Sequence, residues 1–389
     1  VAIVGGGTAG ITVAARLRRA APRLDVVVIE PSDRHFYQPL WTLVGAGVFP
    51  KEASMRPEAD VVPRGVEWVR DAVDQFDVEA NAVVTRTGRR IAYERLVVAA
   101  GIQLQWNRVA GLADAVGRGG VCSNYSYDHV AYTWECIRNF RGGRAVFTQP
   151  SSPVKCGGAP QKILYLADDA FRKNGVREGA SLTFATGNNY LFQVKRYEDA
   201  LYKVVQRKGV DLRLQHELVE IRPDAKEAVF RRLDADEQVV LPYDLLHVTP
   251  PMGPPDFLRD SPLASAEGWV DVDRNTLRHV RFPNVFALGD CASLPTSKTG
   301  AAIRKQAPVV VDRLLRSLEQ KEGESSYDGY TSCPLVTGYG KLILAEFDYD
   351  KTPRETFPFD QSKERYSMWL LKAYGLPFLY WHGMLKGRF

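Results

Sequence analysis

Three groups of residues in this 389-residue chain are equipped for chemistry. The first is Gly5-Gly6-Gly7-Thr8-Ala9-Gly10, with Glu30 twenty residues beyond its last glycine. Between a strand and a helix, such a loop brings backbone N–H groups against a pyrophosphate. Gly5 permits the tight turn, Gly7 lets the backbone approach the phosphates, and Gly10 lets the helix pack close. The phosphates sit at the helix N-terminus, and Glu30 stands where a carboxylate accepts from ribose hydroxyls. The second group is Cys156, between Lys155 and Lys162, just before a helix whose first turn Pro160 fits. Nearby cations and a helix N-terminus both stabilise a thiolate, the form of cysteine that does chemistry. The third is Cys333, read as part of a turn-rich loop at 330–335. It is the best partner for Cys156, although 177 residues separate the two and the sequence leaves their meeting open. A bond between such distant segments in a reducing compartment would be redox-active rather than structural.

These groups need elements to position them. Residues 1–4 read as a buried parallel strand, 11–21 have helical apolar spacing, and 25–29 form a second strand ending at Glu30. Two later apolar strands end in Gly101 and in Gly289-Asp290, the latter followed by a helix over 299–318. Both resemble segments that flavoprotein disulfide reductases place around FAD. Residues 144–148 read as a strand where a second nucleotide-binding unit would begin. The loop after it has Pro150 and Pro153 where the pyrophosphate turn should have glycine, and proline has no N–H to offer a phosphate. The expected fold class is therefore α/β. It has two Rossmann-like dinucleotide-binding domains, the FAD domain split in sequence, plus a C-terminal membrane-associating segment. The expected boundaries are 1–110 and 251–320 for the FAD domain, 111–250 for the middle unit with its degenerate nicotinamide site, and 321–389 for the tail.

Composition narrows the classes. With 51 basic and 46 acidic residues the net charge is +5, too thin for the basic stripe of a nucleic-acid binder. Five cysteines are no disulfide scaffold in a chain this long. Cys122 and Cys136 lack the second close pair or histidine of a zinc site, so no metal is expected. Cys136 and Cys291 read as packing residues. No apolar run of about 20 residues exists to span a bilayer as a helix. After Glu364 there is no acid, and aromatic residues alternate with Lys372, Lys386 and Arg388. Gly375 and Pro377 are expected to break this tail into two short helices, lying in lipid headgroups or docked on the body or on a second copy in a homodimer.

The stretches 153–162 and 328–339 resemble those of sulfide:quinone oxidoreductases, in the branch containing the mitochondrial enzymes and their bacterial counterparts. The similarity extends to His247-Val248-Thr249-Pro250-Pro251-Met252 and to 357–365. The chain departs from the pattern at Arg304-Lys305, where small apolar residues are expected. The resemblance implies an FAD enzyme, peripheral on the mitochondrial inner membrane or bacterial cytoplasmic membrane. Cys156 and Cys333 would be its redox pair, joined directly or through an extra sulfur. It implies FAD contacts at Gly7, Glu30, Gln38, Val73, Asp290 and Lys298. Hydrogen sulfide would be the donor, a membrane quinone such as ubiquinone the acceptor, and a small nucleophile such as sulfite or glutathione would carry the sulfur away. The residues also admit a type II NADH:quinone oxidoreductase, against which the missing second glycine loop stands, and a flavoprotein redox sensor without turnover.

Overall fold

The computed structural model describes residues 1–388. Short apolar runs without alternation predict strands buried on both faces, and five of them form one parallel sheet. Its order is Val285–Ala287, Leu96–Val98, Ala2–Val4, Val27–Ile29, Glu67–Val69. In register, Ala2 faces Val27 on one side and Leu96 on the other, and Leu96 faces Val285. The sheet thus draws a strand from almost 190 residues downstream, next to the strand that ends near Gly101. Helix α1 (Thr8–Ala20) starts at the glycine loop and packs against the later helix α3 (Gly300–Leu318). Between them in sequence lies α2 (Ala159–Lys173).

A second parallel sheet has the order Val121–Cys122, Leu245–His247, Gly143–Gln149, Ala180–Thr186, Val210–Arg213. The loop carrying Cys156 leaves the C-terminal end of its central strand and enters α2.

Two expectations need correction. Cys333 lies in a strand, Thr331–Gly338, paired antiparallel with Lys341–Phe347, and not in a turn-rich loop. Pro334 is tolerated there because the hairpin has only two strands, so its missing N–H robs no third neighbour. The strand is buried on both faces, which erases the alternation that would have marked it. The tail is not broken at Gly375 and Pro377 either. Tyr366–Leu370 runs through a π-helical turn, Leu371–Gly375, into Leu376–His382, so 366–382 is one continuous helix. The wider π turn and the position of Pro377 at the start of the last segment absorb the missing N–H. Among the described residues no helix is long and apolar enough to cross a membrane. Phe389, the last residue of the expected tail, lies outside the described residues.

The close approach of α1 to the sheet depends on Gly10, where an added Cβ would stand 1.8 Å from the Gly5 carbonyl oxygen. Both partners are backbone and cannot yield without moving the loop. Gly10→Ala is expected to destabilise the protein by roughly 1–3 kcal/mol, read from the midpoint of urea unfolding. An unchanged midpoint would show that the turn has slack.

Candidate redox site and dinucleotide cradle

The glycine loop and its neighbours make a cradle with open space and unspent polar groups. Gly5 has φ +102°, a conformation that only glycine adopts without strain. Gly7 caps α1 with no side-chain partner, leaving the first N–H groups of a thirteen-residue helix free to face an anion. A Cβ on Gly7, on Gly101 or on Gly300 at the start of α3 would meet nothing within 4 Å. The Glu30 carboxylate accepts from the Gly6 N–H (2.8 Å) and the Ser32 N–H (2.8 Å). Each of its oxygens keeps a lone pair for a further donor. Burial raises its pKa. Beside it Glu58, 1% exposed, has an Oε1 atom with no partner. At the far end Asp290 sits in the turn Gly289–Cys291, where burial raises its pKa and its carboxylate forms no hydrogen bond among the described residues. Donors at one end, unspent acceptors along the wall and room between them fit a flavin dinucleotide.

The other expected contacts are placed more variously. Gln38 Oε1 accepts from Lys155 Nζ at 2.8 Å. Val73 is 4% exposed, with its side chain in the core, which leaves only its backbone to face a ligand. Lys298 turns inward: its Nζ donates to the Asp290 carbonyl (2.5 Å) and lies 3.8 Å over the Trp269 ring. Its own carbonyl accepts the Cys156 N–H at 2.9 Å, which ties the cysteine loop to the segment leading into α3. Arg304 and Lys305, the departure from the family pattern, project from the exposed side of α3.

The two cysteines meet. Cys156 Sγ lies 2.6 Å from Cys333 Sγ, nearer than a non-bonded sulfur contact, while both are free thiols. Three local features bring this about. Cys156 itself adopts φ +54°, turning the loop between the Lys298 carbonyl and the first turn of α2. Gly158 then lets α2 press onto the hairpin, since a Cβ there would stand 2.1 Å from Leu335 Cδ2. The Gly158 N–H in turn faces the Cys333 sulfur. Lys162 Nζ, 4% exposed, donates to Cys156 Sγ at 3.3 Å. With Cys333 donating its S–H and Lys162 in contact, Cys156 titrates well below the ordinary thiol range despite burial. Cys333 keeps the shared proton and is pushed well above that range. The surroundings thus favour the anion on Cys156 and the proton on Cys333.

Sequence reasoning missed three neighbours. Burial raises the pKa of Tyr125, and the Cys156 charge nearby adds to that rise. Lys372, 3% exposed, reaches in from the 366–382 helix, and burial pulls it down to about 7. Its signal was present: it is the one formal cation between Tyr366 and Leu385. Tyr380 of the same helix hydrogen-bonds Thr8 Oγ1 (2.9 Å) and His35 Nε2 (2.6 Å), so the tail seats on the glycine loop itself. The remaining cysteines stay apart from this centre. Cys291 is fully buried, with its S–H toward the Val98 carbonyl at 3.4 Å. Cys122 is buried and Cys136 half-buried. No group of metal ligands occurs among the described residues.

Two parallel nucleotide-fold sheets with a dithiol at their junction define the class of the pyridine nucleotide-disulphide oxidoreductases, whose family model matches residues 1–128 and 189–309. The matched residues leave out both Cys156 and Cys333. Those fall within a closer likeness. The chain is similar to the mitochondrial sulfide:quinone oxidoreductase of Mus musculus, 48% identical over 388 residues, covering 100% of this chain and 86% of that protein. It is 49% identical to the mitochondrial sulfide:quinone oxidoreductase of Dictyostelium discoideum, over 100% of this chain and 86% of that one. The structure of the sulfide:quinone oxidoreductase from the bacterium Aquifex aeolicus superposes with a TM-score of 0.86 at 19% identity, covering 100% of this chain and 91% of that chain. The chain belongs to the sulfide:quinone oxidoreductase family.

The lowered pKa of Cys156 has a direct readout. In the reduced protein, iodoacetamide should modify Cys156 before the other thiols, and the rate should stay flat as pH falls below about 8.5, the ordinary thiol value. Lys162→Met removes the contacting cation and is expected to move the inflection of that profile upward by about 1–2 pH units. A wild-type profile with its inflection at the ordinary value would contradict the thiolate assignment.

Proposed function

We propose that the chain oxidises sulfide at the Cys156–Cys333 pair and passes two electrons through FAD to a quinone. The observation that carries this is the 2.6 Å sulfur pair beside Lys162, at the strand end where a nicotinamide-binding relative would need glycines and this chain has prolines. In the oxidised state the two sulfurs are bridged. HS⁻ attacks the bridge at Cys333, the S–S bond breaks, and the products are a persulfide on Cys333 and a thiolate on Cys156. Lys162 stabilises that leaving thiolate as its charge develops. FAD supplies the two-electron acceptor when bound along the cradle from Gly7 to Asp290. The sulfane sulfur then leaves Cys333 on a small nucleophile such as sulfite or glutathione, and loss of two electrons restores the bridge. Gly5, Gly6, Gly7, Gly10, Glu30, Gln38, Val73, Gly101, Asp290 and Lys298 are proposed to hold the cofactor.

The tail supports a membrane-surface placement. Tyr366 (64% exposed), Leu370, Tyr374 (59%) and Phe378 (63%) recur every four residues and form an apolar stripe facing outward. Met368, Trp369, Lys372 and Tyr380 are buried on the opposite side. A helix so divided lies in the headgroup plane, where a lipid-soluble quinone is available. The mouse and Dictyostelium relatives are named as mitochondrial.

Mixing the oxidised holoenzyme anaerobically with sulfide should bleach the flavin, with a transient long-wavelength band from thiolate-to-flavin charge transfer. Cys156→Ser should lose both, and NADH should leave the flavin oxidised. Bleaching by NADH at the rate seen with sulfide would reverse the assignment. For the tail, Tyr374→Ser/Phe378→Ser changes only exposed side chains and should cut cosedimentation with phospholipid vesicles at least about tenfold at unchanged FAD content. Undiminished cosedimentation would remove the stripe from membrane binding.

A further inference from the structure

Gly7 has to let the backbone come closest to the phosphates, and both of its neighbours are held by one hydrogen-bonded bridge. His35, 2% exposed, places Nδ1 at 3.1 Å from the Gly6 carbonyl and at 3.2 Å from the Glu58 carboxylate. Both of those atoms accept, so Nδ1 is the donor. On the other side of the ring, Nε2 lies 2.6 Å from the hydroxyl of Tyr380, which is 345 residues further along the chain. That hydroxyl shares a second hydrogen bond with Thr8 Oγ1 at 2.9 Å. The bridge thus ends on the Gly6 carbonyl before Gly7 and on the Thr8 side chain after it.

Tyr380 is the one member of this bridge that the N-terminal sixty residues do not supply. It comes from the 366–382 helix and is 5% exposed, with its ring 4.5 Å from that of Tyr37 and 4.9 Å from that of Trp381. Beyond the helix the chain lies directly on α1, where a Cβ on Gly387 would stand 2.8 Å from the Ala15 carbonyl oxygen. Without the Tyr380 hydroxyl, His35 Nε2 would be buried with no partner, a strongly disfavoured state. The ring would then be free to shift and to release its hold on Gly6. A loop fixed before its ligand arrives loses less freedom on binding than one that must be ordered by it.

We propose that Tyr380 is a positioning residue for the flavin dinucleotide, and that retention of the cofactor and seating of the C-terminal helix are coupled through Tyr380, His35 and Thr8. This rests on the reading of the glycine-loop cradle as the FAD site. The coupling is reciprocal: whatever the seated helix contributes to holding the cofactor, the bound cofactor contributes to seating the helix. A seated helix is also what turns Tyr374 and Phe378 outward. The loaded protein therefore presents its apolar stripe to lipid more firmly than the empty one.

The test is the rate of FAD release from the diluted holoenzyme, followed as the gain in flavin fluorescence, in a double-mutant cycle. Tyr380→Phe keeps the ring against Tyr37 and Trp381 and removes only the hydroxyl, and Thr8→Val removes the hydroxyl that faces it. Each single variant should release FAD about tenfold faster than wild type. The double variant should be within about twofold of the faster single one, because both changes break the same link. Independent contributions would instead multiply to about a hundredfold. Hydrogen–deuterium exchange of peptides covering 366–388 reads the other direction. In the Thr8→Val holoenzyme it should be at least about threefold faster than in wild type. Wild-type release in Tyr380→Phe would overturn the proposal, as would multiplying effects or a tail whose exchange ignores Thr8→Val. A wild-type protein that takes up no flavin would strike the functional reading, whereas a flavin-loaded protein whose release ignores Tyr380 would strike this inference alone.

Discussion

A thiolate at Cys156 must stay charged in a place only partly open to water, against the fully buried Cys333. Taking an ion of that size out of water costs several kcal/mol even after the protein relaxes. The structure offsets that cost locally, with the Lys162 ammonium at 3.3 Å, the Cys333 S–H, and Lys372 behind them. Among the described residues no carboxylate forms an ion pair with either lysine, and Lys162 donates to sulfur. Replacing the lysines by apolar groups would raise the Cys156 pKa and leave it a less reactive thiol.

The fold meets this demand by joining parts that have no local reason to be together. The cysteine loop leaves the end of a parallel strand, where ligands collect in α/β sheets. It is pinned at one side by the Lys298 carbonyl, from the segment leading into α3, and at the other by the hairpin against α2. Asp290 lies eight residues before Lys298, so the same short segment that lines the dinucleotide cradle also fixes the backbone of Cys156. The sulfur pair and the dinucleotide cradle are thus tied together by one piece of chain.

The legibility of these parts in the sequence differed for physical reasons. The glycine loop, its strand and its helix were readable because every requirement there is local: a turn, a close approach, a capless helix end. The flavin-side strands ending in Gly101 and Gly289 were readable for the same reason. Cys333 was placed in the wrong kind of element because a strand covered on both faces shows no alternation, and Pro334 mimics a turn. Gly375 and Pro377 looked like breakers because a π turn, which accommodates them, has no sequence rule of its own. Lys372 was read as a cation of the headgroup-facing tail, and its burial beside the body was illegible because the elements it packs against lie far away in the chain. Resemblance to relatives supplied the pairing of the cysteines, which spacing alone left open.

The distribution of the redox site along the chain has a consequence for biogenesis. The first sheet lacks only its strand at Val285–Ala287 until that segment is made, and Cys156 with Lys162 is complete long before. Cys333 and Lys372 arrive only after residue 330. Since domains fold as they emerge during synthesis, a nascent chain owns every residue of its cradle, through Lys298, before it owns the second sulfur at Cys333. A ribosome-bound intermediate of this protein is therefore a flavin acceptor that cannot yet touch sulfide, and the last part of the described chain to fold is what arms it.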